Sequence, residues 1–214
     1  MSIDSYEREV RALEQTRLNV DCPVVFYGSS SIRLWPGLER GEIVNRGFGG
    51  STLEACAYYF ERLILPLHPR SLIVYAGDND LGDGRRPEQV LGWFRELAAK
   101  IDARIPGVPF GYISVKPSPA RAGILDLIRL TNKLIEREME GHPNGYFMPF
   151  FDSMLDASGR PRADLFLSDG LHLSLNGYRL WESLLIPYEN RIFTPLSSKC
   201  NKPQLSFKDV ESGV

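Results

Sequence analysis

Cysteine is scarce in this chain. Cys22, Cys56 and Cys200 are an odd number with no CxxC pair, so neither a disulfide framework nor a zinc site is indicated. Long apolar runs are missing too. None approaches the roughly 20 residues that a bilayer-spanning helix needs, and no membrane insertion is expected. The segment after Met1, SIDSYEREVRALEQ, is charged and helix-like. It lacks the apolar stretch of a secretory signal. Neither sign of charge prevails: 25 Lys and Arg face 27 Asp and Glu, a net charge of −2. Nucleic acid and anionic membrane are therefore not expected partners. These absences leave a soluble cytoplasmic protein as the expectation. Internal repeats and domain linkers are also lacking, and no feature specifies an oligomeric state.

What is present suits one α/β domain. The 214 residues are 43% hydrophobic and 24% charged, a balance that fills a single core. Apolar runs rich in Val, Ile, Phe and Tyr at 23–27, 42–45, 72–76, 110–115 and 146–151 read as strands covered on both faces. Helical spacing appears between them. Val90, Phe94, Leu97, Ile101 and Ile105 form one face, with Pro87 at the first turn. Ile124, Leu127, Ile128, Thr131, Leu134 and Ile135 form another. Ser51-Thr52-Leu53-Glu54 reads as a capping box opening a helix through Ala57, Phe60 and Ile64. A last helix is expected over about 175–192, kinked or ended by Pro187, and an N-terminal helix over about 4–18. Alternation of this kind predicts a three-layer α/β/α sandwich around a five-stranded parallel sheet. One domain is expected over 1–196, followed by a polar tail over 197–214.

Ligands of open α/β sheets bind beyond the carboxyl ends of the strands. After the first strand comes Gly28-Ser29-Ser30-Ser31-Ile32-Arg33. After the second comes Asn45-Arg46-Gly47-Phe48-Gly49-Gly50-Ser51-Thr52, and after the third Gly77-Asp78-Asn79-Asp80. In the flavodoxin-like strand order 2-1-3-4-5 these loops converge. They would bring together serine hydroxyls, backbone N–H groups and a carboxamide. Acyl transfer needs such parts: a serine beside a base and preorganised donors for an oxyanion. The N–H of Gly50, at the start of a helix, and the Asn79 amide are candidate donors, and neutral donors suffice without a metal or other cofactor.

Histidine is as scarce as cysteine, with three residues. His68 and His142 precede strands and fall at the wrong edge of the sheet. His172 follows the fifth strand in Ser168-Asp169-Gly170-Leu171-His172-Leu173. Asp169 is close enough in sequence for one turn to set its carboxylate on the imidazole Nδ1, leaving Nε2 for a serine. The long connection 152–168 reads as a functional loop. It spans with ease the roughly 14 Å of three strand spacings back to the first strand.

Four blocks of this chain resemble, in order and spacing, those of the SGNH/GDSL hydrolase superfamily: Gly28-Ser29-Ser30, Gly49-Gly50-Ser51-Thr52, Gly77-Asp78-Asn79-Asp80 and Asp169-Gly170-Leu171-His172. The resemblance implies an esterase or acylhydrolase on an α/β/α sandwich. It implies Ser30 as nucleophile, His172 and Asp169 completing the triad, and Ser30, Gly50 and Asn79 as the oxyanion hole. A small-molecule ester, with a short acyl group on a small or carbohydrate substrate, is the expected partner. Thioesters and lysophospholipids are the alternative, as is a binding protein that kept the fold. One position departs from the pattern: Ser29 stands where the family carries Asp, so three serines run together. Rival motifs fit worse. Gly47-Phe48-Gly49-Gly50-Ser51-Thr52 has Thr52 where a dinucleotide-binding fingerprint needs glycine, and Gly28–Ser31 lacks the second glycine of GxSxG. Arg33, Arg85 and Arg86 read as solvated surface, Trp35, Trp93 and Trp181 as core.

Overall fold

The strands in the computed structural model are mostly apolar because helices cover both faces of their sheet. The structure describes residues 3–16, 18–38 and 41–193; the segment 197–214 expected as a tail lies outside them. In chain order the elements are α1 (Glu7–Gln15), β1 (Val24–Gly28), α2 (Ser30–Arg33), β2 (Ile43–Gly47), α3 (Leu53–Leu63), β3 (Ser71–Tyr75), α4 (Asp78–Gly82), α5 (Pro87–Arg104), β4 (Phe110–Ile113), α6 (Leu125–Met139), β5 (Gly145–Met148), α7 (Leu175–Leu185) and α8 (Glu189–Ile192). The five strands are all parallel in the order β2-β1-β3-β4-β5. The reversal at β1 and β3 puts their carboxyl ends at the switch point.

Side-chain alternation along each strand divides the interior into two cores. Val25, Tyr27, Leu72, Val74 and Tyr112 pack with Val10, Phe60, Phe94 and Ile128 on one face. Val24, Phe26, Ile73 and Tyr75 pack with Ile32, Trp35, Tyr178, Trp181 and Ile192 on the other. Trp181 is fully buried, its ring 5.4 Å from Trp35, 5.0 Å from Tyr75 and 5.8 Å from Phe150. Pro187 does interrupt the last helix: a 3₁₀ turn at Ile186–Tyr188 separates α7 from α8, as the missing N–H requires.

Two local expectations are corrected. The capping residue of α3 is Thr52, whose Oγ1 accepts from Ala55 N–H at 3.1 Å. Ser51 is instead buried one residue before it. The first helical N–H, on Leu53, goes to both oxygens of Asp80 at 3.1 and 3.0 Å. A carboxylate from the next crossover thus supplies what a local capping box would have. Gly50 therefore belongs to a turn ahead of α3, not to its first turn, and its φ of +69° is what bends the chain there.

Candidate active site

Ser30 opens α2 directly after β1, and its N–H is one of the donors that a helix start leaves without an intrahelical acceptor. Two bonds fix the strand end beneath it. Ser29 N–H donates to Tyr75 O at 2.9 Å, and Phe48 N–H to Gly28 O at 2.9 Å. Of the three consecutive serines, Ser29 and Ser31 are buried at 0% and 2% exposure. Only Ser30 reaches the surface.

The neighbouring loops are held from several sides. Tyr6 donates its hydroxyl to Gly50 O at 3.0 Å, and Glu9 accepts from Gly49 N–H at 3.0 Å. The N-terminal segment thereby braces the glycine turn. Burial pushes the Tyr6 phenol up to about 12, so it stays a donor. Asn79 donates from Nδ2 to Ser51 O at 3.0 Å, which ties it to the same turn and leaves its second N–H for another acceptor.

Two buried carboxylates flank Asn79. Asp80 accepts from Leu53; burial raises its carboxyl from 3.8 to about 7 even though backbone N–H groups work the other way. Asp78 meets Lys116 Nζ at 2.5 Å, and that ammonium also donates to Tyr75 Oη at 3.2 Å. Burial alone would raise Asp78, but Lys116 outweighs it and holds the carboxyl below its ordinary range. Lys116, only 2% exposed, was missed in the sequence. The available signal was a lysine standing directly after a buried strand and before Pro117.

His172 lies on a tight loop closed by an antiparallel bridge between Phe166 and Leu173, with Leu167 N–H donating to His172 O at 2.8 Å. Its Nδ1 is 2.6 Å from Asp169 Oδ2. Asp169 Oδ1 accepts the N–H groups of Leu171 and His172 at 2.8 and 2.9 Å. The hydrogen bond from His172, helped by those backbone donors, pulls the Asp169 carboxyl down to about 2. The loop is brought toward the serine by packing on both sides. Tyr178 of α7 donates its hydroxyl to Ser31 O at 3.1 Å, and Ala120 N–H donates to Gly170 O at 3.0 Å. Among the described residues no hydrogen bond joins Ser30 to His172. Such contacts often tighten only when substrate binds.

The other two histidines stand apart, as their sequence positions suggest. His68 is exposed ahead of β3, and His142 pairs with Asp102 at 3.0 Å ahead of β5. Arg33 is exposed and pairs with Glu9 at 3.4 Å. Among the described residues no three His, Cys, Asp or Glu side chains gather as a metal site would need. No described helix is long and apolar enough to cross a membrane. In chemical terms, a hydroxyl on a helix start, free N–H donors on two sides and an imidazole oriented by a carboxylate can support attack on a carbonyl.

Comparisons with known proteins bear on the family and the fold. Residues 30–180 match the model of the GDSL-like Lipase/Acylhydrolase family. Among solved structures, a Streptococcus pneumonia protein whose name refers to platelet activating factor is 20% identical, with a TM-score of 0.74 over 86% of this chain and 91% of its own. A GDSL-like lipase from Bacteroides thetaiotaomicron is 21% identical, with a TM-score of 0.69 over 87% and 96%. An acetyl esterase, a serine-to-alanine mutant with acetate ion, is 14% identical, with a TM-score of 0.60 over 77% and 94%. At these identities the likeness is one of fold. Comparison with curated proteins finds no match.

Proposed function

Because the chain belongs to the GDSL-like lipase/acylhydrolase family, we propose that it hydrolyses carboxylic esters through an acyl-enzyme on Ser30. The observation that carries this reading is the Asp169–His172 contact of 2.6 Å, on a loop whose following helix is bonded to the serine's own helix. Asp169 fixes the imidazole with Nδ1 protonated, so Nε2 is the basic nitrogen. His172 takes the Ser30 proton as Oγ attacks the carbonyl. The N–H groups of Ser30 and Gly50 and the free amide N–H of Asn79 hold the oxyanion. His172 then returns the proton to the leaving alcohol, and water repeats the sequence to release the acid.

A short acyl group, acetyl above all, on a small or carbohydrate alcohol is the substrate we favour. The resemblance of fold to an acetyl esterase supports it. The test is release of nitrophenol from p-nitrophenyl acetate by wild type beside Ser30→Ala, Ser29→Ala and Ser31→Ala. Ser30→Ala should lose at least about 10³-fold in kcat, while the neighbouring variants keep most of theirs. Loss confined to a neighbouring serine would overturn the assignment of Ser30. No turnover by wild type, joined to failure of an organophosphonate to label Ser30, would favour a binding protein that kept the fold.

A further inference from the structure

Arg121 is the one cation at this edge of the sheet whose role the scheme above leaves open. It belongs to the 3₁₀ segment Pro119–Ile124 that follows β4. The residue before it, Ala120, donates to Gly170 O in the middle of the Asp169–His172 loop. Its guanidinium lies on Gly82, the last residue of α4: a Cβ built on Gly82 would come 2.2 Å from Nη2 and 2.3 Å from Cζ. Asn79 lies on that same short helix. Arg121 therefore bridges the element that carries the amide donor and the loop that carries the imidazole.

Arg121 forms no ion pair or hydrogen bond through its guanidinium with a described residue, and its Nε is buried without a partner. The neighbouring carboxylate, Asp78, meets Lys116 through Oδ2 at 2.5 Å; its Oδ1 is buried without a partner, and Arg121 acts on it only through space. A solvated surface arginine leaves Nε open to water; here the guanidinium is packed against backbone and partly buried. Ser118, whose backbone carbonyl accepts Arg121 N–H at 2.9 Å, has a hydroxyl that is buried without a partner as well. A planar fork of donors, held in place and without a hydrogen-bonded anion, is the form in which proteins recognise carboxylate and phosphate groups.

We infer that Arg121 selects esters bearing an anionic oxygen group, carboxylate or phosphate, close to the scissile bond. This rests on the esterase reading, and the experiment separates the two. Nitrophenol release is measured from mono-(4-nitrophenyl) glutarate against its neutral methyl ester. Acetate release is measured from 4-acetoxybenzoate against methyl 4-acetoxybenzoate, and from 4-acetoxyphenyl phosphate against phenyl acetate. Wild type should prefer the charged member of at least one pair by about 10-fold in kcat/KM, expressed mainly in KM. Arg121→Gln should bring that ratio close to one. Arg121→Lys should keep part of it, because the charge stays and the fork is lost. Gly82→Ala should lower it as well, since the added methyl displaces the guanidinium without removing its charge. Equal rates within all three pairs, or a preference that survives Arg121→Gln, would overturn the inference while leaving the esterase intact. Failure of wild type to hydrolyse any member would sink both.

Discussion

Asp169 uses both oxygens, one for two backbone N–H groups and one for the imidazole. With its carboxyl held near 2, it stays ionised at every pH where an imidazole works as a base. Its contribution is therefore orientation and a fixed tautomer, not a proton. Asp169→Asn keeps the volume and the backbone bonds but offers an amide that can also donate to Nδ1, which would place the imidazole proton on the nitrogen meant to act as base. The expected result is a fall in kcat of about 10³–10⁴-fold on p-nitrophenyl acetate at an unchanged melting temperature. A variant within tenfold of wild type would remove Asp169 from the scheme. The triad candidates were legible in the sequence because their signal is local: a rare histidine after a strand, with a carboxylate one turn before it. Lys116 and Arg121 were not, since their meaning lies in what they touch, Asp78 and Gly82, across more than 35 residues of chain.

The position of Ser30, the proposed nucleophile, depends on how closely α2 approaches β2. A Cβ on Gly47 would sit 2.3 Å from Arg33 N, 2.8 Å from its Cα and 2.9 Å from Ile32 C, all backbone atoms that cannot swing aside. Asn45 adds to the fit by donating from Nδ2 to Ile32 O at 2.8 Å. Gly47→Ala must push α2 off the sheet and carry Ser30 with it. We expect about 1–3 kcal/mol of lost stability in urea unfolding, together with a drop in kcat larger than that loss alone would cause at saturating folded protein. Retention of full activity by a destabilised Gly47→Ala would mean that Ser30 does not need this contact. Strand positions, helix faces and the break at Pro187 were readable at this scale from period and turn chemistry. The start of α3 was not: the N–H of its first residue is accepted by Asp80, 27 residues away, which a local capping pattern cannot reveal.

At the scale of the whole molecule, the two acids flanking Asn79 make opposite demands on pH. Asp78, matched by Lys116, is held ionised. Asp80, buried among apolar groups with only backbone donors, has its carboxyl raised from 3.8 to about 7. A carboxyl raised on folding binds its proton more tightly in the native state than in the unfolded chain. Its contribution to stability is thus complete below about pH 4 and is lost as pH rises through about 7. Asp169 and Glu7, both lowered to about 2, act in the reverse sense, losing their contribution as pH falls below about 4. Together they place the stability maximum for these groups in the acidic range, near pH 4. Urea unfolding of wild type should accordingly weaken between about pH 4 and 7, by about 1 kcal/mol per pH unit where the slope is steepest. Asp80→Asn retains an oxygen for Leu53 N–H and has no proton to lose, so its stability should stay level across that window. Parallel slopes for the two proteins would show that Asp80 does not titrate there, and the carboxylate would then be bound to α3 at full charge throughout.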